Sequence, residues 1–501
     1  MSRETSRLGQ LIAKSSAWML ASQWVGRLLG LMTTAILARL LTPDDFGLFA
    51  ISMTVFGLLT ALGGFNFQLA LVKNQNTTRA HYDTAWTLSL LRSFVVSAIL
   101  VILAPSLAGF FEDARLEKVF VILGAMAFLG GFENVGVINF QKDFRFDKLF
   151  NINICARIVY FFLTVIVAVI WRSYWALVVG FCAERICVIS LGYIMQEYRP
   201  RLSLKMWREI LGFSKWVMSI GLLQYLNNRS PILLIAKFAE IQSLGLYSVA
   251  YKLSSVTSSD WVQPAARPLF PGLVKVVNDR ARVKGIYLNA LSVLLLIGVP
   301  VAAGIALLAE PLVRVVLGED WLAAVPLVEV LALFALLRVF LGGTYEVLLA
   351  LDKLHVMTLL SGIRLVILLP LLLWGVSSAG AYGAALALVG ATAVRVLLNI
   401  VALSLLLNLT IQELAASCWR TAISTGAMTI TLVLLQTLWT PGENVIEIAA
   451  QLLTLMGVGF VSFILSYAAL RVFPGAQAEI DYKLVSLLKE RIADFQRIEE
   501  N

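Results

Sequence analysis

Long runs of apolar residues, broken at short intervals by polar punctuation, fill the chain almost from end to end. A helix needs about 20 mostly apolar residues to cross the hydrocarbon core of a bilayer. On that scale the pattern predicts fourteen spans, at about 15–38, 46–72, 83–109, 119–140, 149–171, 174–196, 212–236, 244–270, 286–308, 322–350, 355–375, 379–407, 415–438 and 445–471. Thr42-Pro43-Asp44, Arg199-Pro200, Pro271-Gly272 and Pro441-Gly442 mark breaks between them. Lys252, Asp260 and Arg267 interrupt the eighth. The stretch 476–498 differs. Ile480, Leu484, Leu487, Leu488 and Phe495 recur there at helical spacing among Lys483, Lys489, Arg491 and Arg497, which predicts an amphipathic helix lying on the membrane surface. At the other end, Arg3, Glu4, Arg7 and Lys14 run into a segment bearing Trp18, Gln23, Trp24 and Arg27. That is a retained first span rather than the short apolar region of a cleaved signal peptide.

Composition agrees. Of 501 residues, 59% are hydrophobic and 14% charged, with a mean hydropathy of +0.84. A soluble chain is about 45–50% apolar and about 25% charged, and one this long would form roughly three domains, each needing a polar shell. The expected fold class is therefore all-α, a polytopic integral membrane protein. Soluble enzymes, secreted disulfide scaffolds and disordered chains are excluded.

The net charge of +9 is explained by topology. With the N-terminus in the cytoplasm, the inside loops hold Lys73 and Arg79; Lys142, Arg145 and Lys148; Arg199, Arg201, Lys205 and Arg208; Lys275, Arg280, Arg282 and Lys284; and Lys353. The outside loops hold Asp44, Asp45, Glu112, Asp113, Glu117, Glu310, Glu319, Asp320, Glu443 and Glu447. Basic residues collect on the cytoplasmic side, so both termini are placed there, and a nucleic-acid partner is not needed to account for the charge. Cys155, Cys182, Cys187 and Cys418 lie in apolar segments without metal-ligand spacing, and His81 and His355 stand singly. No Walker sequence is present, the loops are too short for a soluble catalytic domain, and no nucleophile constellation is legible. The chain is read as a non-enzyme without cofactor or metal.

The chain also repeats itself. LARLLTPDDFGLFA (37–50) matches IAKFAEIQSLGLYSVA (235–250): Ala38 meets Ala236, Arg39 meets Lys237, Gly47 meets Gly245, Leu48 meets Leu246 and Phe49 meets Tyr247, a shift of 198. Phe128-Leu129-Gly130-Gly131 matches Phe340-Leu341-Gly342-Gly343 with a shift of 212, and Gly180 and Arg185 match Gly390 and Arg395 with a shift of 210. The matches pair spans 1 with 7, 4 with 10 and 6 with 12. They predict two six-helix bundles (1–205 and 206–410), a final pair of spans (411–475) and a cytoplasmic tail (476–501). Odd pairs with odd, so the bundles have the same orientation, as in a rocking transporter with its substrate between them. Arg39 and Lys237 are read as structural parts of the repeated turn. The glycines at 26, 30, 63–64, 130–131 and 342–343 are read as places of close helix approach.

An ionisable group inside the membrane costs several kcal/mol unless it faces a cavity or a partner, so each is a default site candidate. The basic set is Arg27, Arg92, Arg157, Arg185, Arg229, Lys252, Arg338, Arg364 and Arg395; the acidic set is Glu133, Glu184, Asp260, Glu329 and Glu346. Arginine in surplus suits a phosphate, which its planar fork grips with two parallel hydrogen bonds. Arg27, Arg229, Arg338, Arg364 and Arg395, with the polar Asn227 and Asn228 ahead of Pro231, are the expected substrate-binding residues. Arg92, Arg157 and Arg185 have the alternative of snorkelling or pairing with neighbours such as Glu184.

The first-loop segment LARLLTPDDFGLFA, and LGLYSVAYKL (244–253) followed by Pro268-Leu269-Phe270-Pro271, resemble the signatures of the polysaccharide-transport branch of the multidrug/oligosaccharidyl-lipid/polysaccharide exporter superfamily. Within it the chain is similar to the lipid-linked oligosaccharide flippases of O-antigen, colanic-acid and other exopolysaccharide systems. The resemblance implies a central cationic cavity in the bacterial inner membrane. Through it an undecaprenyl-pyrophosphate-linked oligosaccharide would pass to the periplasmic leaflet, its lipid tail staying in the bilayer. It implies drive by a proton or sodium gradient or by membrane potential, with membrane lipids and the polysaccharide polymerase machinery as further partners. An ion-coupled multidrug/cation antiporter and a lipid II flippase are the alternatives from the same superfamily. The antiporter needs buried carboxylates in the first half, where only Glu133 and Glu184 lie inside spans. A membrane glycosyltransferase would need a long acidic loop that the chain lacks.

Overall fold

The computed structural model describes residues 2–63, 71, 77–143, 145–255, 269–439 and 444–470, and all regular structure among them is helical. The first part runs α1 (Ser2–Ala38), α2 (Pro43–Leu62), α3 (Arg79–Phe110), α4 (Arg115–Gly130), a 3₁₀ turn (Val135–Val137), α5 (Ile138–Lys142), α6 (Phe146–Trp171), α7 (Trp175–Met195), α8 (Trp207–Phe238) and α9 (Ile241–Ser255). There follow α10 (Leu269–Lys275), α11 (Arg280–Leu307), α12 (Ala309–Val316), a 3₁₀ turn (Glu319–Ala324), α13 (Val325–Val339), α14 (Thr344–Ala350), α15 (Leu354–Leu407), α16 (Ile411–Leu438) and α17 (Val445–Leu470).

Among the described residues, nine helical segments are long and apolar enough to cross a membrane, or ten if the bent pair Arg115–Gly130 and Val135–Lys142 is one span. The long helices α1 and α8 are more polar. The expected spans 46–72 and 244–270 are described only in part, and the amphipathic tail at 476–498 lies outside the described residues. The expected spans 355–375 and 379–407 form the single run α15, which folds back on itself. Ala379 leaves helical geometry and Gly380 sits at φ +56°, a left-handed conformation that glycine adopts without penalty. Gly375 and Gly383 pack backbone to backbone across this bend, where a Cβ on either would overlap the other's carbonyl.

The chain divides into two compact units, residues 1–249 with 372–384, and residues 250–371 with 385–501. In the first, Leu37, Leu41, Ala168, Ala176 and Leu177 form one core cluster. In the second, Leu291, Leu294, Leu295, Val339 and Leu403 pack together, and Leu308, Leu432, Leu455 and Phe463 form another cluster. Large apolar side chains also cover the outside: Ile102, Ile170, Ile194, Leu405 and Ile446 are 68–82% exposed. A water-soluble surface avoids large contiguous apolar patches; a lipid-facing one requires apolar side chains.

The repeated turn explains itself in the first unit. Thr42 caps α2: its backbone N–H and its hydroxyl donate to Asp45 Oδ2 at 3.0 and 2.8 Å, and Pro43 fills the first helical position, where no N–H is needed. Asp45 Oδ1 also accepts from the Tyr174 N–H at 2.8 Å, tying this turn to the start of α7. One turn on, Gly47 packs against the carbonyl of Ile241, and Gly245 packs against the carbonyl of Pro43. Adding 198 to 43 and 47 gives 241 and 245, so the contact is reciprocal: equivalent residues of the two repeats exchange places across it. Lys237 serves as a strut, its Nζ donating to Phe110 O at 2.8 Å and pairing with Glu112 at 3.1 Å.

Beside this turn, Arg115 holds Asp113 at 2.7 Å and Asp44 at 2.6 Å. Burial works to raise the Asp113 carboxyl, but the hydrogen bonds and charge of Arg115 outweigh it and hold it below its ordinary 3.8. A carboxylate held low in the fold contributes stability above its ordinary value and loses it as pH falls below that value. Acidification below pH 3.8 is therefore expected to loosen residues 110–117 in the wild-type chain. Asp113→Asn should be looser at neutral pH and respond less to acid, since only the Asp44 partner of Arg115 is left to titrate. Because Arg115 is 43% exposed, the effect should be about 1 kcal/mol or less. Amide-exchange protection of that segment against pH measures it.

Candidate functional site

In the first unit the chain breaks at the fourth span. α4 ends at Gly130, and the helical stretch resumes at Val135 bent by 64°. Irregular backbone at membrane depth survives only where protein or a water-filled cavity re-satisfies it. Here Asn134, which is buried, accepts from the Gly136 N–H at 2.9 Å and donates to Tyr198 O at 2.9 Å. Glu133 sits at the break and pairs with Arg185 of α7 at 2.7 Å. Gly130 makes room for that arginine: a Cβ there would lie 2.7 Å from Arg185 Nη2. Arg92 of α3 lies close enough for both charges to act on it. Glu184 pairs instead with Arg157 of α6 at 3.4 Å. Neighbours on a helix point about 100° apart and do not face each other, so adjacent Glu184 and Arg185 take different partners. The two carboxylates neutralise two of the three arginines.

The second unit repeats the break but not the neutralisation. α13 ends at Val339, and the chain turns through Phe340–Gly343, with Gly343 at φ +76°, before α14. Arg395, the repeat equivalent of Arg185, has Arg338 within electrostatic reach. No carboxylate among the described residues forms an ion pair with either. Arg338 lies 5.6 Å above the Phe334 ring. Arg395 keeps its Nε buried without a hydrogen-bond partner. The structure thus brings together two of the expected substrate-binding residues as a like-charged couple. A planar fork with an uncommitted donor in a membrane-embedded setting is suited to a dianion.

The remaining expected residues lie elsewhere. Arg364 is buried on the first half of α15, in the same unit as that couple. In the first unit Arg27 is half-buried on α1. Asn227, Asn228 and Arg229 do not break their helix: α8 runs through them and past Pro231. Asn227 is buried and satisfies itself by donating to Leu223 O at 3.0 Å, whereas Asn228 and Arg229 are exposed. The expectation of close helix contact holds at Gly130 and Gly131; at Gly26 and Gly30 no atom of the described residues lies within 4 Å of where a Cβ would stand. Asp260 lies outside the described residues.

An apolar crevice of about 650 Å³ opens between α11, α16 and α17 of the second unit, lined by Pro300, Gly304, Met428, Leu455, Gly457 and Phe460 among others. It had no single-sequence signal, because α11 and Leu312 of α12 on one side lie far along the chain from the consecutive α16 and α17 on the other.

The match of known families to this chain decides its kinship. A family described as "Polysaccharide biosynthesis protein" covers residues 36–326. The chain belongs to that family. Among curated relatives of this polysaccharide biosynthesis protein, it is 24% identical over 365 residues to the lipopolysaccharide biosynthesis protein WzxC of Escherichia coli (strain K12), spanning 72% of this chain and 74% of that one. It is 24% identical over 327 residues to the succinoglycan biosynthesis transport protein ExoT of Rhizobium meliloti (strain 1021), spanning 64% and 66%. In fold it is similar to the lipid II flippase MurJ in an inward closed conformation, with a TM-score of 0.74 at 13% identity, covering 90% of this chain and 97% of that one. The all-helical polytopic fold expected from the hydropathy pattern is that of this polysaccharide biosynthesis protein.

Proposed function

We propose that this family member is a flippase. It moves an undecaprenyl-pyrophosphate-linked oligosaccharide, a precursor of exopolysaccharide or O-antigen, from the cytoplasmic to the periplasmic leaflet of the bacterial inner membrane. The observation that carries the reading is the Arg338–Arg395 couple, cationic and without a carboxylate partner among the described residues. Two like charges in a poorly solvated setting repel each other, and a pyrophosphate relieves them. The same couple repels a cationic drug, which separates this reading from the antiporter. Family kinship with WzxC and ExoT supports the substrate class. Alternating access exposes the basic site first to one side and then to the other. In this reading both termini are cytoplasmic, residues 1–205 and 206–410 are the two six-helix repeats, 411–475 supply the last two spans and 476–501 lie on the membrane. The chain acts without catalysis, beside the polymerase machinery that uses its product.

The test is a flipping assay in proteoliposomes with a fluorescent undecaprenyl-pyrophosphate oligosaccharide, and a cationic dye in a parallel sample. Protein-dependent sugar movement without dye movement is expected. Dye movement coupled to an ion gradient, with the lipid-linked sugar immobile, overturns the reading in favour of the antiporter. Preference for lipid II over the oligosaccharide carrier moves the assignment to cell-wall synthesis.

The apolar crevice fits the lipid tail of such a substrate. Gly304 and Gly457 line it, and no described atom lies within 4 Å of where a Cβ on either would stand, so a side chain added there projects into the crevice. Gly457→Phe is expected to slow flipping of the full-length polyprenyl carrier about fivefold or more, an effect of about 1 kcal/mol, a little more than the burial of one methylene of the tail. A short-chain carrier should be spared. Equal slowing of both would exclude the crevice from the tail's path.

A further inference from the structure

At the end of the second unit where α11 stops, α12 runs, α16 ends and α17 begins, a second cavity of about 280 Å³ has a different chemistry. Glu310, Arg314, Glu329, Gln436, Trp439 and Gln451 supply its polar and aromatic lining, with Leu307, Ile448 and Leu455 between them. Neither Arg338 nor Arg395 lines it, and apart from Leu455, which it shares with the apolar crevice, the flippase reading uses none of its lining.

The side chains are partly committed, and what is left over defines the ligand. Arg314 pairs with Glu310 at 3.0 Å through Nη2, while its Nε is buried without a hydrogen-bond partner. Gln436 donates its amide N–H to Leu307 O at 2.9 Å, so its side-chain oxygen stays available as an acceptor. Glu329 has no ion pair among the described residues. Gln451 brings both a donor and an acceptor. Trp439 offers a large apolar face and one N–H. The charges of Glu310 and Arg314 cancel, and Glu329 leaves the lining with one net negative charge.

We infer that this cavity is a sugar-binding subsite for one uncharged or amino-bearing sugar ring. A pyranose has an apolar face of C–H groups for the indole. Its rim of hydroxyls both donates and accepts, which this mixed lining matches and a lipid tail does not. The surplus carboxylate favours an amino sugar and disfavours a uronate or a phosphate. An interfacial girdle explains a lone tryptophan; it does not explain a cavity that Trp439 lines together with an arginine and two amides. The inference rests on the flippase reading for the side of the membrane the subsite faces, which is periplasmic, where a translocated sugar head would arrive.

The experiment is saturation-transfer NMR on the full chain in nanodiscs, with methyl glucoside, glucosamine and glucuronate as separate probes. Transfer to glucosamine and methyl glucoside is expected, and weaker transfer to glucuronate. Trp439→Ala and Gln451→Ala, both at accessible positions, should each reduce the signal about fivefold, the worth of one lost hydrogen bond or stacking contact. Glu329→Lys should reverse the order of glucosamine and glucuronate. No transfer to any probe, transfer unchanged in all three variants, or glucuronate strongest in the wild-type chain each overturns the subsite. Binding does not depend on flipping. Sugar transfer with an inactive flipping assay would leave the subsite and remove the flippase; flipping without transfer would do the reverse.

Discussion

Alanine at both Arg338 and Arg395 is expected to lower translocation of the pyrophosphate-linked oligosaccharide by about two orders of magnitude, since each hydrogen bond to a charged group is worth about 1.5–3 kcal/mol and 1.4 kcal/mol is tenfold. The single variants should each lose about tenfold or more on the same basis. Arg→Lys should fall between, because lysine keeps the charge and loses the two-pronged grip. The direction of the stability change is the stronger test. Were the two arginines structural, cutting them back would leave holes or broken pairs and cost stability. They are instead within reach of each other's charge, and an uncompensated cation within a span is itself costly. The double variant in detergent should therefore melt at the same temperature as the wild-type chain or higher, while transport collapses. Added soluble pyrophosphate should raise the melting temperature of the wild-type chain and not that of the variant. Normal flipping by the double variant removes these residues from the site; lost flipping together with a lowered melting temperature makes their role structural.

The contrast with the first unit shows how far the sequence is legible. Hydropathy marked where membrane-crossing helices lie, because lipid selects on composition over about 20 residues; it ran the expected spans 119–140 and 322–350 straight through the Phe-Leu-Gly-Gly repeat, where both helices break. Arg185 and Arg395 were recognisable as equivalents from the same alignment. Their opposite situations were not. Which carboxylate meets which arginine depends on the rotation of each helix about its axis, and Glu133 reaches Arg185 only because α4 stops and turns at Gly130. Asn227 illustrates the converse: it lies in a polar cluster ahead of a proline and was expected to bind substrate, yet it bonds to the carbonyl four residues back and the helix continues. The lining of the small cavity had no local signature, since Glu310, Glu329, Gln436 and Gln451 come from four elements.

Gly245→Ala should be among the most damaging single-methyl changes in the chain. In an ordinary helix, glycine to alanine gains about 0.5–1 kcal/mol, because the unfolded chain loses freedom. At position 245 the new Cβ would overlap the carbonyl oxygen of Pro43 and stand 3.1 Å from the Gly47 nitrogen. Those are backbone atoms that cannot swing aside, and Pro43 is anchored by the Thr42–Asp45 capping box. The two turns must move apart, at the cost of overpacking, about 1–3 kcal/mol or more. Gly47→Ala should behave alike, since its Cβ would strike the Ile241 carbonyl. The reciprocity then makes a sharper claim than either single change. Both substitutions force the same separation, so once one has opened the contact the second should add little. The double variant is expected to lose less stability than the sum of the singles, with a coupling of about 1 kcal/mol or more, where independent sites would add within about 0.5 kcal/mol. Melting temperatures of the four proteins in one detergent close the cycle. Simple additivity would mean that the two glycines do not share one contact, and the pairing of residues 43–47 with 241–245 would not be one reciprocal contact.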